Sequence, residues 1–263
     1  MKNLIILFSV IFILFSCNSK TTSVVVGQRK INQIESSSTT TTTTSTTTTT
    51  STTTTTSTTT TTTICIKGKR LALWIDEDND KIEDKKQGTF ISYSGDLTAA
   101  KNYNYFSASA HPVVGPTPAG FKSTVFFYEG SDGLSMFFFH NVDNGGSAEN
   151  RVHWSIEVEG NNLKDKVLVS DDPNHNGAEL KLIETKDNTN IYDANFLYFK
   201  NTDGGVIGPL EGEEFKIYVK NIGAGDIEDS KFYSLDENDL NLASKNGKVD
   251  SFIIKYESFE DCK

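Results

Sequence analysis

From Ser36 to Thr63 every residue is serine or threonine, 28 positions without interruption. Such a run has too little apolar surface to offset the entropy of ordering it, so no hydrophobic core can cross it. The chain therefore divides. Of its aromatic residues (2 Trp, 9 Tyr and 17 Phe), all but Phe8, Phe12 and Phe15 follow the tract. Residues 64–263 hold the material for a core, and residues 17–63 read as a disordered linker. Ser45, Ser51 and Ser57 each open a run of threonines, a period too short for a folded repeat. As a coil, residues 18–63 average ~35–40 Å end to end and reach ~150 Å when extended. Serine and threonine hydroxyls in such tracts are O-glycan acceptors by composition. The segment reads as a spacer that gives a domain reach.

Charge is divided in the same way. The formal net charge is −10, but Lys2, Lys20, Arg29 and Lys30 against Glu35 leave residues 1–63 at +3 and residues 64–263 at −13. A nucleic-acid partner needs a basic face for its phosphates, and adsorption to anionic lipid needs the same. The balance of the acidic domain argues against a nucleic-acid partner and does not favour adsorption to anionic lipid.

At the N-terminus Lys2 precedes an apolar stretch, Leu4 to Phe15, interrupted only by Ser9. In a helix this covers about 18 Å, short of the ~30 Å hydrocarbon core, and the layout is that of an export signal over residues 1–16. It closes with Leu14-Phe15-Ser16-Cys17. This quartet resembles the lipobox of bacterial lipoproteins, in which the cysteine becomes the lipidated first residue after cleavage; Phe15 departs from the smaller residue usual there. The resemblance implies Cys17 as the lipidation site, a membrane partner through the lipid anchor, and a place on the bacterial cell envelope or surface. The alternative is an ordinary signal cut between Ser16 and Lys20, with Cys17 discarded and the protein secreted. In either case Cys65 and Cys262 remain, one at each end of the folded region. Domain termini are often close, and exported chains meet an oxidising compartment, so a Cys65–Cys262 disulfide is expected. It would contribute up to ~5 kcal/mol in the chain-entropy model. Two free buried thiols are the alternative.

Beyond Ile64, short runs rich in Phe, Tyr, Val and Ile alternate with Gly/Asn/Asp clusters, the pattern of an all-β fold. Runs are predicted at Lys69–Ile75, Thr89–Tyr93, Ser123–Glu129, Leu134–Val142, Arg151–Glu159, Lys166–Ser170, Glu179–Ile183, Asn195–Lys200, Glu214–Lys220 and Val249–Tyr256. Val152, Trp154, Ile156 and Val158 alternate with Arg151, His153, Ser155 and Glu157, as do Phe215, Ile217 and Val219 with Lys216, Tyr218 and Lys220. Both have the period of a half-buried antiparallel strand. Ser123–Glu129 and Met136–Phe139 are nearly continuous in apolar residues and suit strands buried on both faces, with Gly130-Ser131-Asp132-Gly133 as the hairpin between them. Helical periodicity is nearly absent; Gly225–Leu242 has room for one turn. These features predict a single antiparallel β-sandwich or jelly roll of about ten strands.

Directly after Trp74-Ile75 comes Asp76-Glu77-Asp78-Asn79-Asp80-Lys81-Ile82-Glu83-Asp84. Carboxylates at alternate positions of a tight loop supply oxygens at the density that Ca²⁺ requires. The spacing resembles the calcium loops of thrombospondin type 3 repeats and, more distantly, EF-hands and dockerins. The resemblance implies side-chain ligands from Asp76, Asp78, Asp80 and Asp84 and a carbonyl ligand from Ile82. Lys81 stands where those loops prefer glycine, and Gln87 where EF-hands carry an acid. A solvated acidic turn is the competing reading.

Three further clusters follow predicted strands: Asn141–Ser147, which contains Asp143; Ser170–Pro173, with Asp171 and Asp172; and Asn201–Gly205, with Asp203. Loops of this composition bind cations or sugar hydroxyls, and are equally ordinary β-turns. The stretches GGSAENRVHWSIEVEG, VLVSDDP and TDGGVIGPLEGEEFKIYV look like β-rich modules of secreted bacterial proteins to which no firm activity is attached. Hydrolase, zinc-protease, dithiol and phosphate-loop motifs are missing, and His111, His140, His153 and His175 lack zinc-ligand spacing. The sequence reading is therefore a non-catalytic, surface-exposed, lipid-tethered β-sandwich, Ca²⁺-stabilised, that presents a binding or adhesion surface to an extracellular protein or glycan. The alternative is a carbohydrate-binding module using Tyr103, Tyr105 and Phe106, or less favourably a secreted carbohydrate-active enzyme.

Overall fold

The computed structural model describes residues 38–40, 62–106, 109–118, 120, 122–141, 150–161, 163–171, 178–198, 201–211, 214–223, 230–242 and 249–262. The export signal, Cys17, Asp143, Asp172 and most of the linker lie outside these residues. Fifteen strands and one short helix follow in order: β1 (Ser38–Thr40), β2 (Thr62–Ile75), β3 (Lys85–Phe90), β4 (Tyr93–Ser94), α1 (Ala99–Tyr103), β5 (Ser123–Gly130), β6 (Gly133–His140) and β7 (Asn150–Glu159). Then come β8 (Lys166–Ser170), β9 (Leu180–Lys186), β10 (Thr189–Tyr198), β11 (Asp203–Leu210), β12 (Lys216–Asn221), β13 (Ser230–Phe232), β14 (Leu240–Asn241) and β15 (Ser251–Cys262).

The strands form two sheets. One has eight strands, ordered β1-β2-β15-β12-β7-β10-β9, with β3 also paired to β2; the other has seven, ordered β14-β13-β5-β6-β11-β8, with β4 also paired to β5. The protein is thus an all-β sandwich. β4 and β13 both run parallel to β5, departing from a purely antiparallel plan. These two short strands cover the outer edge of β5 and shield a long apolar strand from pairing elsewhere.

The period-two strands behave as their sequence requires. Val152, Trp154, Ile156 and Val158 on β7, Ile217 and Val219 on β12, and Phe215 just before it all enter the core between the sheets. β5 and β6 are buried on both faces. Val125, Phe127, Met136 and Phe138 join that core, while Phe126, Tyr128, Phe137 and Phe139 build a second cluster on the outer face, with Ala99 and Tyr103 of α1. That second layer explains the continuous apolar runs. The β5–β6 hairpin turns at Gly130 and Gly133 as expected, and its Asp132 carboxylate accepts from the Ala99 amide at 2.9 Å, holding the start of α1.

Two local expectations are corrected. The one described helix is at Ala99–Tyr103, with Thr98 as its N-cap, whereas the described part of Gly225–Leu242 forms β13 and β14. A five-residue helix shows no full amphipathic period, so composition conceals it. Of the Ser/Thr tract only its two ends are described, where Ser38–Thr40 pairs with Thr62–Ile64; β-branched threonine suits an extended edge. Second, Asp203-Gly204-Gly205, expected as a loop, opens β11 between β6 and β8. The glycines are there for clearance: a Cβ on Gly204 would lie 2.1 Å from the Phe138 carbonyl oxygen, and one on Gly205 2.6 Å from Leu180 Cδ2.

Candidate metal centre and neighbouring polar clusters

The acidic loop is the connection between β2 and β3. Ile75 pairs with Lys85, and the Asp84 amide closes the loop onto the Ile75 carbonyl at 3.1 Å. Asp76, only 1 % exposed, anchors it. The Asp76 amide donates to the Ser251 carbonyl at 3.4 Å, and the Ser251 hydroxyl donates back to the Asp76 carbonyl at 2.8 Å. Its carboxylate accepts from the amides of Asp80 (3.2 Å) and Lys81 (3.1 Å). The chain thus curls around a buried acid. Asp84 accepts from the Glu77 amide at 2.6 Å, and Asp80 from the Ile82 amide at 2.7 Å.

One carboxylate oxygen each from Asp76, Asp78 and Asp84 lie within 4.8 Å of one another. Oxygens bound to one Ca²⁺ at 2.3–2.6 Å stand at most ~4.6–5.2 Å apart, so this spacing fits the ion. Asp80 is outside the trio, and the exposed Ile82 engages Asp80 through its amide. Asp78 is raised above the ordinary carboxylate range, by desolvation in the loop and then by the charges of Asp80, Asp84 and Asp76.

Lys81 resolves its departure from the motif in two ways. Its φ is 68°, the left-handed conformation that glycine adopts most readily. Its ammonium is engaged by Glu157 on β7 at 2.6 Å. Lys216 donates to the Lys81 carbonyl at 2.6 Å; Lys216 and Lys255 also hold Glu83, at 3.1 and 3.2 Å. Burial alone would raise Glu83, but hydrogen bonds and charge from these lysines outweigh it and hold the carboxyl below its usual range. Tyr218 lies beside the loop, its hydroxyl pushed up by burial and by the Asp76 and Glu157 charges. Sequence reasoning missed Glu157, Lys216, Tyr218, Ser251 and Lys255. They lie on three other strands, and only their strand periodicity hinted at which face they share.

The described parts of the three Asp/Asn/Gly clusters, Asn141, Ser170-Asp171 and Asn201–Gly205, converge at one end of the seven-stranded sheet. Asp203 pairs with His140 at the end of β6, and the Asp171 amide, just after β8, donates to the Gly204 carbonyl at 3.0 Å. Asp171 and Asp203 are buried. The Tyr103 hydroxyl donates to Asp171 at 3.2 Å, and burial together with the charges of Asp171 and Asp203 pushes Tyr103 well above its ordinary range. Tyr103 is therefore interior, not part of an exposed aromatic platform. Phe106, 52 % exposed, stacks on His111 at 3.9 Å, beside a half-exposed Tyr105.

Ser123 Oγ and His140 Nδ1 lie 2.8 Å apart, the contact of a nucleophile and base. Both residues are sealed from solvent. Burial lowers the imidazole to about 3, so the ring is neutral at physiological pH. Its neighbours are Trp154, Phe196 and Tyr198. The pair is an interior contact, out of reach of a substrate, with His140 Nε2 left without a hydrogen-bond partner among the described residues.

The backbone register sets Cys262 opposite Cys65 on β15 and β2; their side chains lie outside the described residues. Comparison with protein-family models, curated proteins and solved structures finds no match.

Proposed function

We propose that the chain is a non-catalytic β-sandwich held at the bacterial cell surface by a lipid on Cys17, spaced from its anchor by the Ser/Thr tract, and braced by Ca²⁺. The observation that carries the binding role is the edge strand β9. Among the described residues it pairs with β10 alone, and it exposes the consecutive residues Leu182 (46 %) and Ile183 (57 %), the latter at a register shift opposite Ile191 and Tyr192. An open strand edge flanked by apolar side chains is what an extended protein segment pairs with when it adds a strand to a sheet. A glycan would call for a flat aromatic face, and burial of Tyr103 removes one of the three rings for it. A protein partner is therefore favoured over sugar.

The calcium role is supported by the spacing of Asp76, Asp78 and Asp84 and by the backbone amides that organise them. Thermal melting of the full chain with Ca²⁺ and with chelator tests it. A higher melting temperature in Ca²⁺ is expected, and coincident melts refute it. Palmitate labelling lost in Cys17→Ser is expected for the anchor, and labelling that survives the substitution refutes Cys17. For the binding edge, cells displaying the chain should adhere to a protein-coated surface, and Ile183→Lys should abolish adhesion with an unchanged melt. Undiminished adhesion by that variant removes β9 from the reading.

A further inference from the structure

We infer that Cys65 and Cys262 form a disulfide that passes the pull of the tether from one strand to two. The mechanical part rests on the tethered reading above; the bond does not.

β2 and β15 pair without a break from Ile75↔Phe252 to Cys65↔Cys262. Residues directly opposed in an antiparallel ladder share a face and have Cα atoms about 4.5–5.5 Å apart. A disulfide spans Cα separations of ~4.4–6.8 Å. The register thus brings two of the chain's three cysteines, nearly 200 residues apart in sequence, into bonding position. Both cysteines lose their protons and two electrons pass to a disulfide-bearing oxidant. One thiolate attacks that oxidant to give a mixed disulfide, the second displaces it, and the oxidant leaves as two thiols. An oxidising, extracytoplasmic compartment supplies such an oxidant.

The location of the rung gives the bond its mechanical meaning. A pull from the anchor meets β1 first, whose three rungs to Thr62–Ile64 must open before tension arrives at the N-terminal end of β2, and the C-terminal end of β15 lies beside that point. Cys65↔Cys262 is the first rung of this ladder that tension from the linker reaches. β2 lies towards the edge of its sheet, whereas β15 lies between β2 and β12. Without a bridge the pull falls on β2 and peels or shears it away. A bridge delivers the same pull to the end of β15 as well, whose ladder to β12 (Lys216↔Lys255 to Lys220↔Ser251) must then yield too.

The test uses the full chain, recovered after export, alkylated before reduction and labelled with a second reagent after it. Cys65 and Cys262 should carry only the second label; the first label on both in folded protein overturns the bond. In single-molecule pulling between the linker and a tag inserted at Asp187, in the exposed β9–β10 turn, the bridge shortens the longest covalent path. That path runs back from Cys262 instead of forward from Cys65, about 160 Å less at ~3.3–3.6 Å per residue. The oxidised chain should extend less by that amount than the reduced chain or Cys65→Ala, and equal extension refutes the bridge. Cys65→Ala and Cys262→Ala should each lower the unravelling force, and the double variant no further; unchanged force in both single variants refutes load sharing. Loss of the Cys17 lipid with the linked cysteines intact would fell the tether and leave the bond standing.

Discussion

Lowering the pH from 7 to 5 probes the sealed end of the core through one residue. His140 is fully buried, with Nδ1 on Ser123 and Nε2 without a hydrogen-bond partner among the described residues. Burial takes its pKa from 6.5 to about 3. In the unfolded chain the ring protonates as pH falls through 6.5, while in the folded protein it stays neutral until about 3. The stability held by keeping it neutral is therefore complete above pH 6.5 and is lost on acidification. Between the two pKa values each further pH unit of acidification costs about 1.36 kcal/mol. The loss is therefore about 2 kcal/mol between pH 7 and pH 5, and about 3 kcal/mol by pH 4. Urea unfolding at these pH values measures it, with His140→Gln as reference. The variant starts from a different stability, but its pH slope lacks this component, so the wild type should lose about 2 kcal/mol more than the variant by pH 5. The ring resonances of His140 in the unaltered protein provide a check without mutation: they should keep neutral-imidazole shifts down to pH 4. Titration with a midpoint above 5, or parallel pH slopes in the two proteins, refutes the argument.

Gly204→Ala puts a methyl group against the Phe138 carbonyl, a backbone atom with no rotamer to yield; a loss of about 3 kcal/mol or more is expected, read as a fall in urea midpoint, and a neutral effect refutes the close approach in β11. Lys81→Gly relieves a left-handed lysine and removes a cation, at the cost of an exposed Glu157 pair; calcium titration should show tighter binding, and weaker binding refutes the loop assignment. Glu83→Gln breaks contacts to Lys216 and Lys255 and should cost no more than ~1 kcal/mol. Because the Glu83 carboxyl is held below its usual range, that contribution is present at neutral pH and fades as pH falls through the folded-state value, so wild type and variant should converge in acid.

The strands legible in the sequence are those whose environment is written in period two. Val152 to Val158 needed one buried face, and their alternation says so. β5 and β6 were legible as doubly buried because both faces are apolar, although nothing local revealed that α1 covers the outer face. β11 was hidden because clearance, not side-chain burial, selects its residues: Asp203, Gly204 and Gly205 have the composition of a turn and the role of a strand packed against the Phe138–Phe139 backbone. The start of β10 was hidden for a related reason. Its inward positions include Asn190, which is paired with Thr185 across the turn and with the distant Asp165, and the distant partner leaves no trace in a short window. The acidic loop was legible as a motif. Its completion by Ser251, Glu157 and Lys216 depends on strand order, which pairwise periodicity does not contain.

β2 connects these features. Upstream it continues into the Ser/Thr tract; along its length it pairs with β15 from Cys65 to Ile75; and downstream it runs into the buried Asp76. At that far end the Asp76 amide and carbonyl both engage Ser251, the first residue of β15. The ladder that would receive the proposed tether is therefore fastened beyond its last rung by the same acid whose carboxylate gathers the acidic loop. Tension that loosens β2 must also draw Asp76 from Ser251 and disperse the oxygens of Asp76, Asp78 and Asp84. An ion bound there would resist that dispersal, so the proposed Ca²⁺ and the proposed cysteine bridge would act on opposite ends of one strand. Their effects on the unravelling force should then be coupled, each worth less when the other already holds β2 in place. Strictly additive effects would place the loop outside the load path.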